Sequence, residues 1–326
     1  MPASLNHVFL YSVDGHRLSG GLFIPDGDGP HPTVLLLHGI PGIEKNFDLA
    51  YALREAGWNC FYFHYRGCWG SEGVYSLPGI LDDIKVATDY LGQHPEVDKA
   101  RLAGVGLSLG GWGVVSAAAR DERLRAIVSL NPLVNGRARP LTDDEAANFA
   151  APLNGITPAE VQTQWRNLTP LTGVAYKLSG RPTLLLTSDA DELFSPEHQR
   201  PLAKAMPFAE WKQLPGANHT FSDHRKLMVR TVIDWLTRTF SRLAPLSPSL
   251  SLRHPVEADH ASVLAILRGW WGGRDLSHLL PRLFFQHFND TSFIIEEVWK
   301  DGGLPRRLHV TGAGAGLHSL RRRPPR

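Results

Sequence analysis

The chain has 326 residues, 43% hydrophobic and 20% charged, which excludes a disordered or fibrous protein and allows one large core, or one with a satellite. Lys and Arg number 34 against 32 Asp and Glu, with no basic stripe before the last two dozen residues, so nucleic-acid binding is excluded as the main activity and a small uncharged partner is favoured. The absence of a leader or of the roughly 18 apolar residues of a membrane span, with only Cys60 and Cys68 as cysteines, predicts a soluble cytoplasmic protein without a disulfide framework.

Short apolar runs alternate with segments of helical period, the pattern of a mostly parallel sheet with helices on both faces. Strands are expected over 7–11, 18–23, 33–37, 59–65, 101–106, 126–130, 182–186 and 210–214. Asp14-Gly15 is a hairpin signal between the first two, so the sheet should open antiparallel. Helices are expected over 47–56, 79–94, 109–120, 196–205 and 223–240. In the second of these, Leu81, Ile84, Ala87 and Leu91 recur at three- and four-residue spacing and make one apolar face. The stretch 136–180 breaks the rhythm: Thr142-x-x-Glu145 and Thr157-Pro-Ala-Glu160 are helix-start signatures with no strand pattern, which reads as a small helical cap inserted after the sixth strand.

The strand ending at Gly106 runs into Gly106-Leu-Ser108-Leu-Gly110 and then a helix, the nucleophile-elbow pattern. A serine on so sharp a turn needs neighbours without a Cβ two residues before and after it. The helix N-terminus behind Ser108 then favours a developing negative charge. A dinucleotide site is the competing reading of Gly104-x-Gly106, but its third glycine would fall at Leu109. A serine hydroxyl is a weak nucleophile and needs a base oriented by a carboxylate. His219, on a Gly-containing loop after the last strand, is the expected base, at the sheet edge where open α/β sheets place ligands. Asp191 is the expected acid, with Asp189 second on the same loop, giving the chain order Ser, acid, His. The loop after the sixth strand offers Asn131-Pro132 and no acid. His38-Gly-Ile40-Pro41-Gly follows the third strand, and the amides of Ile40 and Leu109 are the expected oxyanion donors, a role in which one lost donor costs roughly 2.7–4 kcal/mol. The chemistry calls for no metal or organic cofactor.

With His38-Gly39, Tyr65-Arg-Gly-Cys-Trp-Gly-Ser-Glu-Gly73, the elbow at Ser108 and the Asp191 and His219 loops in this order, residues 5–240 resemble the α/β-hydrolase superfamily. Within it, Gly-Ala-Asn-His219-Thr-Phe-Ser-Asp is most similar to short-cap esterases, including the cinnamoyl and feruloyl group. His64 departs from the acidic residue many relatives carry there. The resemblance implies a serine carboxylesterase acting on small to medium uncharged esters through an acyl-Ser108 intermediate. The same triad could serve a peptidase, thioesterase, lactonase or acyltransferase.

Residues 241–251 are rich in Ser, Pro and Leu without period and read as a linker. Beyond it, Arg253 to Val298, with Trp270-Trp271 and an expected helix over 276–288, resembles the first half of a GNAT acetyltransferase domain. The basic glycine loop that holds coenzyme A pyrophosphate in that family has no counterpart in context, so the segment reads as incomplete. A coenzyme A or partner-binding role for it is the third reading. Its aromatic surface should pack on the hydrolase domain or on a second subunit, giving a homodimer. From Gly302 onward six arginines and no acidic residue occur, which predicts a structureless basic tail over 301–326.

Overall fold

The computed structural model describes residues 2–242, 250–254, 256–260, 292–297 and 308–312. The chain divides into two compact units, Met1–Leu243 and Ala244–Arg326.

The first unit is an eight-stranded sheet of β1 (Ser4–Tyr11), β2 (Arg17–Ile24), β3 (His31–Leu37), β4 (Asn59–Phe63), β5 (Val97–Leu107), β6 (Ala126–Leu130), β7 (Thr183–Ser188) and β8 (Glu210–Leu214). Their spatial order is β1-β2-β4-β3-β5-β6-β7-β8. β1 and β2 pair antiparallel around Asp14-Gly15, β2 pairs antiparallel with β4, and every later pair is parallel. This is the α/β-hydrolase fold. From β3 the chain steps to one side for β4 and crosses to the other for β5, so the reversal point lies between the ends of β3 and β5, where open sheets form a ligand crevice.

The sheet is covered on both faces because its central strands alternate between two cores. Val34, Leu36, Val105, Val128 and Leu184 pack with Leu49 and Leu53 of α1 (Phe47–Glu55) and with Met228, Val232, Trp235 and Leu236 of α7 (Arg225–Arg242). Leu35, Leu37, Phe61, Ile127 and Leu185 face the opposite layer. That layer contains α2 (Ile80–Gln93), α3 (Leu109–Ala118) and α6 (Pro196–Ala205). Each such side chain contributes roughly 1.5–3 kcal/mol on burial. α3 is buried along its whole length, so its sequence carries no amphipathic period. β4 ends at Phe63 rather than at Tyr65, because a turn closed by the Cys68 amide on the Tyr65 carbonyl follows, and Tyr65 aims its hydroxyl at the His38 carbonyl, 3.2 Å away.

Between β6 and β7 lies the helical insertion. It contains α4 (Asp143–Ala150) and α5 (Pro158–Asn167), each opened by a complete capping box, Thr142 with Glu145 and Thr157 with Glu160. Two single-turn 3₁₀ segments complete it.

The second unit contains a three-stranded antiparallel sheet in the order β11-β10-β9, from β9 (Leu250–Arg253), β10 (Ser292–Glu297) and β11 (Leu308–Gly312). Two expectations change here. The 241–251 linker is shorter, because α7 continues to Arg242 and β9 already starts at Leu250. The 301–326 tail is not structureless throughout, because 308–312 pairs with β10 in register, His309 opposite Ile295. Trp270-Trp271 and the helix expected over 276–288 lie outside the described residues. Among the described residues no helix is long and apolar enough to cross a membrane.

Candidate active site

Ser108 sits between β5 and α3 with φ 60° and ψ −119°, a left-sided conformation that costs a non-glycine residue of order 1–3 kcal/mol. Packing enforces it. A Cβ on Gly106 would stand 2.1 Å from the Gly110 carbonyl oxygen, and one on Gly110 would stand 2.4 Å from the Leu37 oxygen. The two glycines therefore let α3 close onto the ends of β5 and β3. The Ser108 amide donates to the Leu130 carbonyl at 2.9 Å, and the Ser108 carbonyl accepts from Trp112 and Leu133. Ser108 is 5% exposed, and among the described residues its hydroxyl has no hydrogen-bond partner.

The loop after β3 lies against it. A Cβ on Gly39 would approach the Ser108 Cβ to 3.0 Å, so Ile40 begins one residue from contact with the serine. Among the described residues no acceptor engages the amides of Ile40 or Leu109. His38 is buried beside this loop, its Nδ1 2.7 Å from the Gly39 oxygen, and burial lowers its pKa to about 4. His64, 5.5 Å away between ring centres, is lowered to about 3 by burial and by the neighbouring His38. Both rings are therefore neutral at pH 7 and add no cation to the site. Trp69, another positive-φ residue, donates from Nε1 to the Pro41 oxygen at 2.6 Å, with Lys45 Nζ 3.9 Å from its ring centre. Gly42 permits that approach, since a Cβ there would meet the His38 ring and Trp69 Nε1 within 2.8 Å.

Asp191 and His219 are in direct contact. His219 Nδ1 lies 2.9 and 3.0 Å from the two carboxylate oxygens, and the side chains are 6% (His219) and 0% (Asp191) exposed. Asp191 Oδ1 also accepts from the amides of Leu193 and Phe194 at 2.8 and 2.7 Å. With its acceptors so committed, the carboxylate presents itself to Nδ1–H, which leaves the lone pair on Nε2. Phe194 meets the His219 ring edge-on at 5.1 Å and stacks on His198 at 4.9 Å. His198 Nε2 accepts from the Val134 amide, and burial lowers its pKa to about 4. Glu192 accepts from the His219 amide at 2.9 Å. Asp189 is exposed and accepts instead from the Gly216 amide.

Ser108 and His219 are both tied to the end of β6. Leu130 holds the Ser108 amide, and the adjacent Asn131 donates from Nδ2 to the His219 carbonyl at 2.8 Å. No hydrogen bond joins Ser108 Oγ to His219 in this arrangement. Asn131, Phe194 and Glu192 gain their roles from contacts far apart in sequence. Only Phe194, as part of an apolar pair beside Asp191, carries a local signal. The described residues contain no cluster of three metal-ligating side chains.

Residues 47–242 match the model of the Peptidase_S9 family, the prolyl oligopeptidase family, over more than half of the chain. The chain belongs to the prolyl oligopeptidase family. The family match accords with the α/β-hydrolase fold described above. An Escherichia coli protein named as an uncharacterized 31.7 kDa protein of the traX-finO intergenic region is 32% identical over 164 residues, 46% of this chain and 57% of that one. The chain thus spans little more than half the length of that relative. The quorum-quenching protein AidA of Acinetobacter baumannii is 31% identical over 126 residues, 37% of this chain and 41% of its own. In fold the chain is similar to Est1E from Butyrivibrio proteoclasticus, whose solved structure has ferulic acid bound. The TM-score is 0.62 at 20% identity, covering 72% of this chain and all of that one.

Proposed function

We propose that the chain is a serine carboxylesterase acting on small to medium uncharged esters, with Ser108 as nucleophile, His219 as base and Asp191 as its orienting acid. The observation that carries this reading is the buried Asp191–His219 contact at 2.9 Å beside a serine held at φ 60°. His219 Nε2 takes the proton from Ser108 Oγ as the oxygen attacks the acyl carbon. The carbonyl oxygen becomes an oxyanion and is held by the free amides of Ile40 and Leu109. Collapse breaks the bond to the leaving alcohol, which receives the proton from His219. Water then attacks the acyl-Ser108 through the same base and releases the acid. No step calls on a metal or organic cofactor. Neutral His38 and His64 favour an uncharged acyl group.

The second reading keeps the triad and changes the bond to a peptide or another acyl linkage. The match to the prolyl oligopeptidase family favours it, as does the partial likeness to AidA. Hydrolysis of p-nitrophenyl esters from acetyl to palmitoyl and of methyl ferulate, compared with Ser108→Ala, separates the two. Activity that falls with chain length and disappears in the variant supports the esterase. Inactivity on all of these esters, with cleavage of peptide p-nitroanilides lost in the variant, would replace it with the peptidase.

A further inference from the structure

We propose that Asn131 is a positioning residue for the catalytic groups, resting on the assignment of Ser108 and His219 above. It occupies the first position after β6, is 0% exposed, and adopts φ 38°, a value uncommon for a residue with a side chain. Its amide donates to the Leu186 carbonyl of β7 at 3.0 Å, and the preceding Leu130 carbonyl holds the Ser108 amide at 2.9 Å. The side chain makes three further bonds. Oδ1 accepts from the Ser188 amide at 2.8 Å, while Nδ2 donates to Ser188 Oγ and to the His219 carbonyl, each at 2.8 Å. Ser188 Oγ in turn donates to the Asn218 carbonyl at 3.1 Å.

One buried amide therefore joins three chain segments: the strand end beside the nucleophile, the end of the strand that launches the acid loop, and the backbone of the base. Burial makes each bond costly to lose, since water cannot replace the missing partner. The left-handed backbone turns the side chain across the sheet end, which accounts for a strained conformation at a residue that touches no substrate. Aspartate is the wrong isostere here. It can still accept from the Ser188 amide, but its second oxygen would face the His219 carbonyl with no proton to share. Glycine would suit the backbone and supply none of the three side-chain bonds.

The test compares Asn131→Asp, Asn131→Gly and Ser188→Ala with the native chain. It reads kcat and KM on p-nitrophenyl butyrate and the rate at which a fluorophosphonate modifies Ser108, all per folded molecule by near-UV circular dichroism. Positioning predicts that Asn131→Gly loses about 10- to 100-fold in kcat and in phosphonylation rate, as a misplacement of order 1 Å does, with KM nearly unchanged. Asn131→Asp should match it or be slower. Ser188→Ala, which keeps the bond to the His219 carbonyl, should lose less, and it carries the test if the Asn131 variants do not fold. A merely structural role predicts lower thermal stability with native kcat and phosphonylation in the folded fraction, and that result in Asn131→Gly overturns the proposal. If Ser188→Ala alone folds, native rates in it do the same. A native chain that is not phosphonylated would instead refute the assignment of Ser108, and this inference with it.

Discussion

Replacing Asp191 and Asp189 by asparagine, one at a time, tests the site through two carboxylates two residues apart. In Asp191→Asn the amide oxygen can keep the Leu193 and Phe194 amides that Oδ1 now accepts at 2.8 and 2.7 Å. The NH₂ group then faces His219 Nδ1, where a carboxylate oxygen stands at 2.9 Å in the native chain. A donor facing a donor is repelled, so the imidazole moves its proton to Nε2, the nitrogen meant to receive one from Ser108. That wrong tautomer removes the base while leaving the packing intact, a loss of about 10⁴ in kcat, or roughly 5.4 kcal/mol of transition-state stabilisation. Asp189 makes one exposed bond, to the Gly216 amide, and no contact with His219. Its asparagine variant should lose less than about fivefold, or 1 kcal/mol. The assay is kcat/KM on p-nitrophenyl butyrate for both variants at equal folded concentration. A loss in Asp189→Asn equal to or above that in Asp191→Asn would refute the assignment of the acid.

Gly106→Ala puts a methyl 2.1 Å from the Gly110 carbonyl oxygen, against backbone that has nowhere to go. We expect a loss of at least about 3 kcal/mol, at the upper end for overpacking, and little hydrolysis at any temperature. A native melting curve with native activity would contradict the packing described for the elbow. His38, lowered to about 4 by burial, gives stability a definite pH dependence. The folded chain holds this group neutral while the unfolded chain protonates near pH 6.5. Its contribution is therefore complete above that pH and is lost as pH falls from about 6.5 through about 4, with a ceiling of roughly 3 kcal/mol. His64 and His198 shift in the same direction. Urea midpoints should be flat from pH 7 to 9 and fall from pH 6.5 to 4.5, and a midpoint that rose on acidification would reverse the argument.

The parts legible in the sequence are those whose cause is local. Gly106 and Gly110 bracket a serine because the turn itself has no room for a Cβ, and two capping boxes announce α4 and α5 from four residues each. The alternation of Val34, Leu35, Leu36 and Leu37 between two cores follows from a strand covered on both faces. What escaped depends on partners remote in the chain. Asn131 reads as the absence of an acid, since its partners Ser188 and His219 lie 57 and 88 residues further on. Trp69 is one aromatic among many until it seats on Pro41. β11 has only five residues, too few for a period against a basic, glycine-rich background, and its strand character comes from pairing with β10.

The insertion after β6 does more than its sequence signals suggest, because its fastening reaches the acid loop. On one side Asn154 accepts from the Tyr75 amide and bonds to the Gly67 and Gly73 carbonyls, and Gln164 accepts from the Leu77 amide. On the other, Arg139 donates to the Leu193 carbonyl at 3.0 Å, two residues from Asp191, and is held by Glu145 and by Trp165, whose Nε1 bonds the Arg139 carbonyl. Glu145 thus serves two structures at once: it completes the capping box of α4 and clamps the guanidinium that steadies the acid loop. Its carboxyl is lowered to about 2, chiefly by Arg139. Glu145→Gln keeps the shape and removes the charge. Gln can still accept from the Thr142 amide and complete the capping box, so the helix start should change little. Arg139 released from its partner should loosen Leu193, so kcat should fall by about three- to tenfold, 0.7–1.4 kcal/mol, with KM nearly unchanged. Thr157→Ala breaks the equivalent box at the start of α5, eight residues before Trp165, through which that helix touches Phe194, and should cost stability without that fall in kcat. Equal kcat values in the two variants would mean that the insertion only packs on the site, and that Asp191 is held in place by its own loop alone.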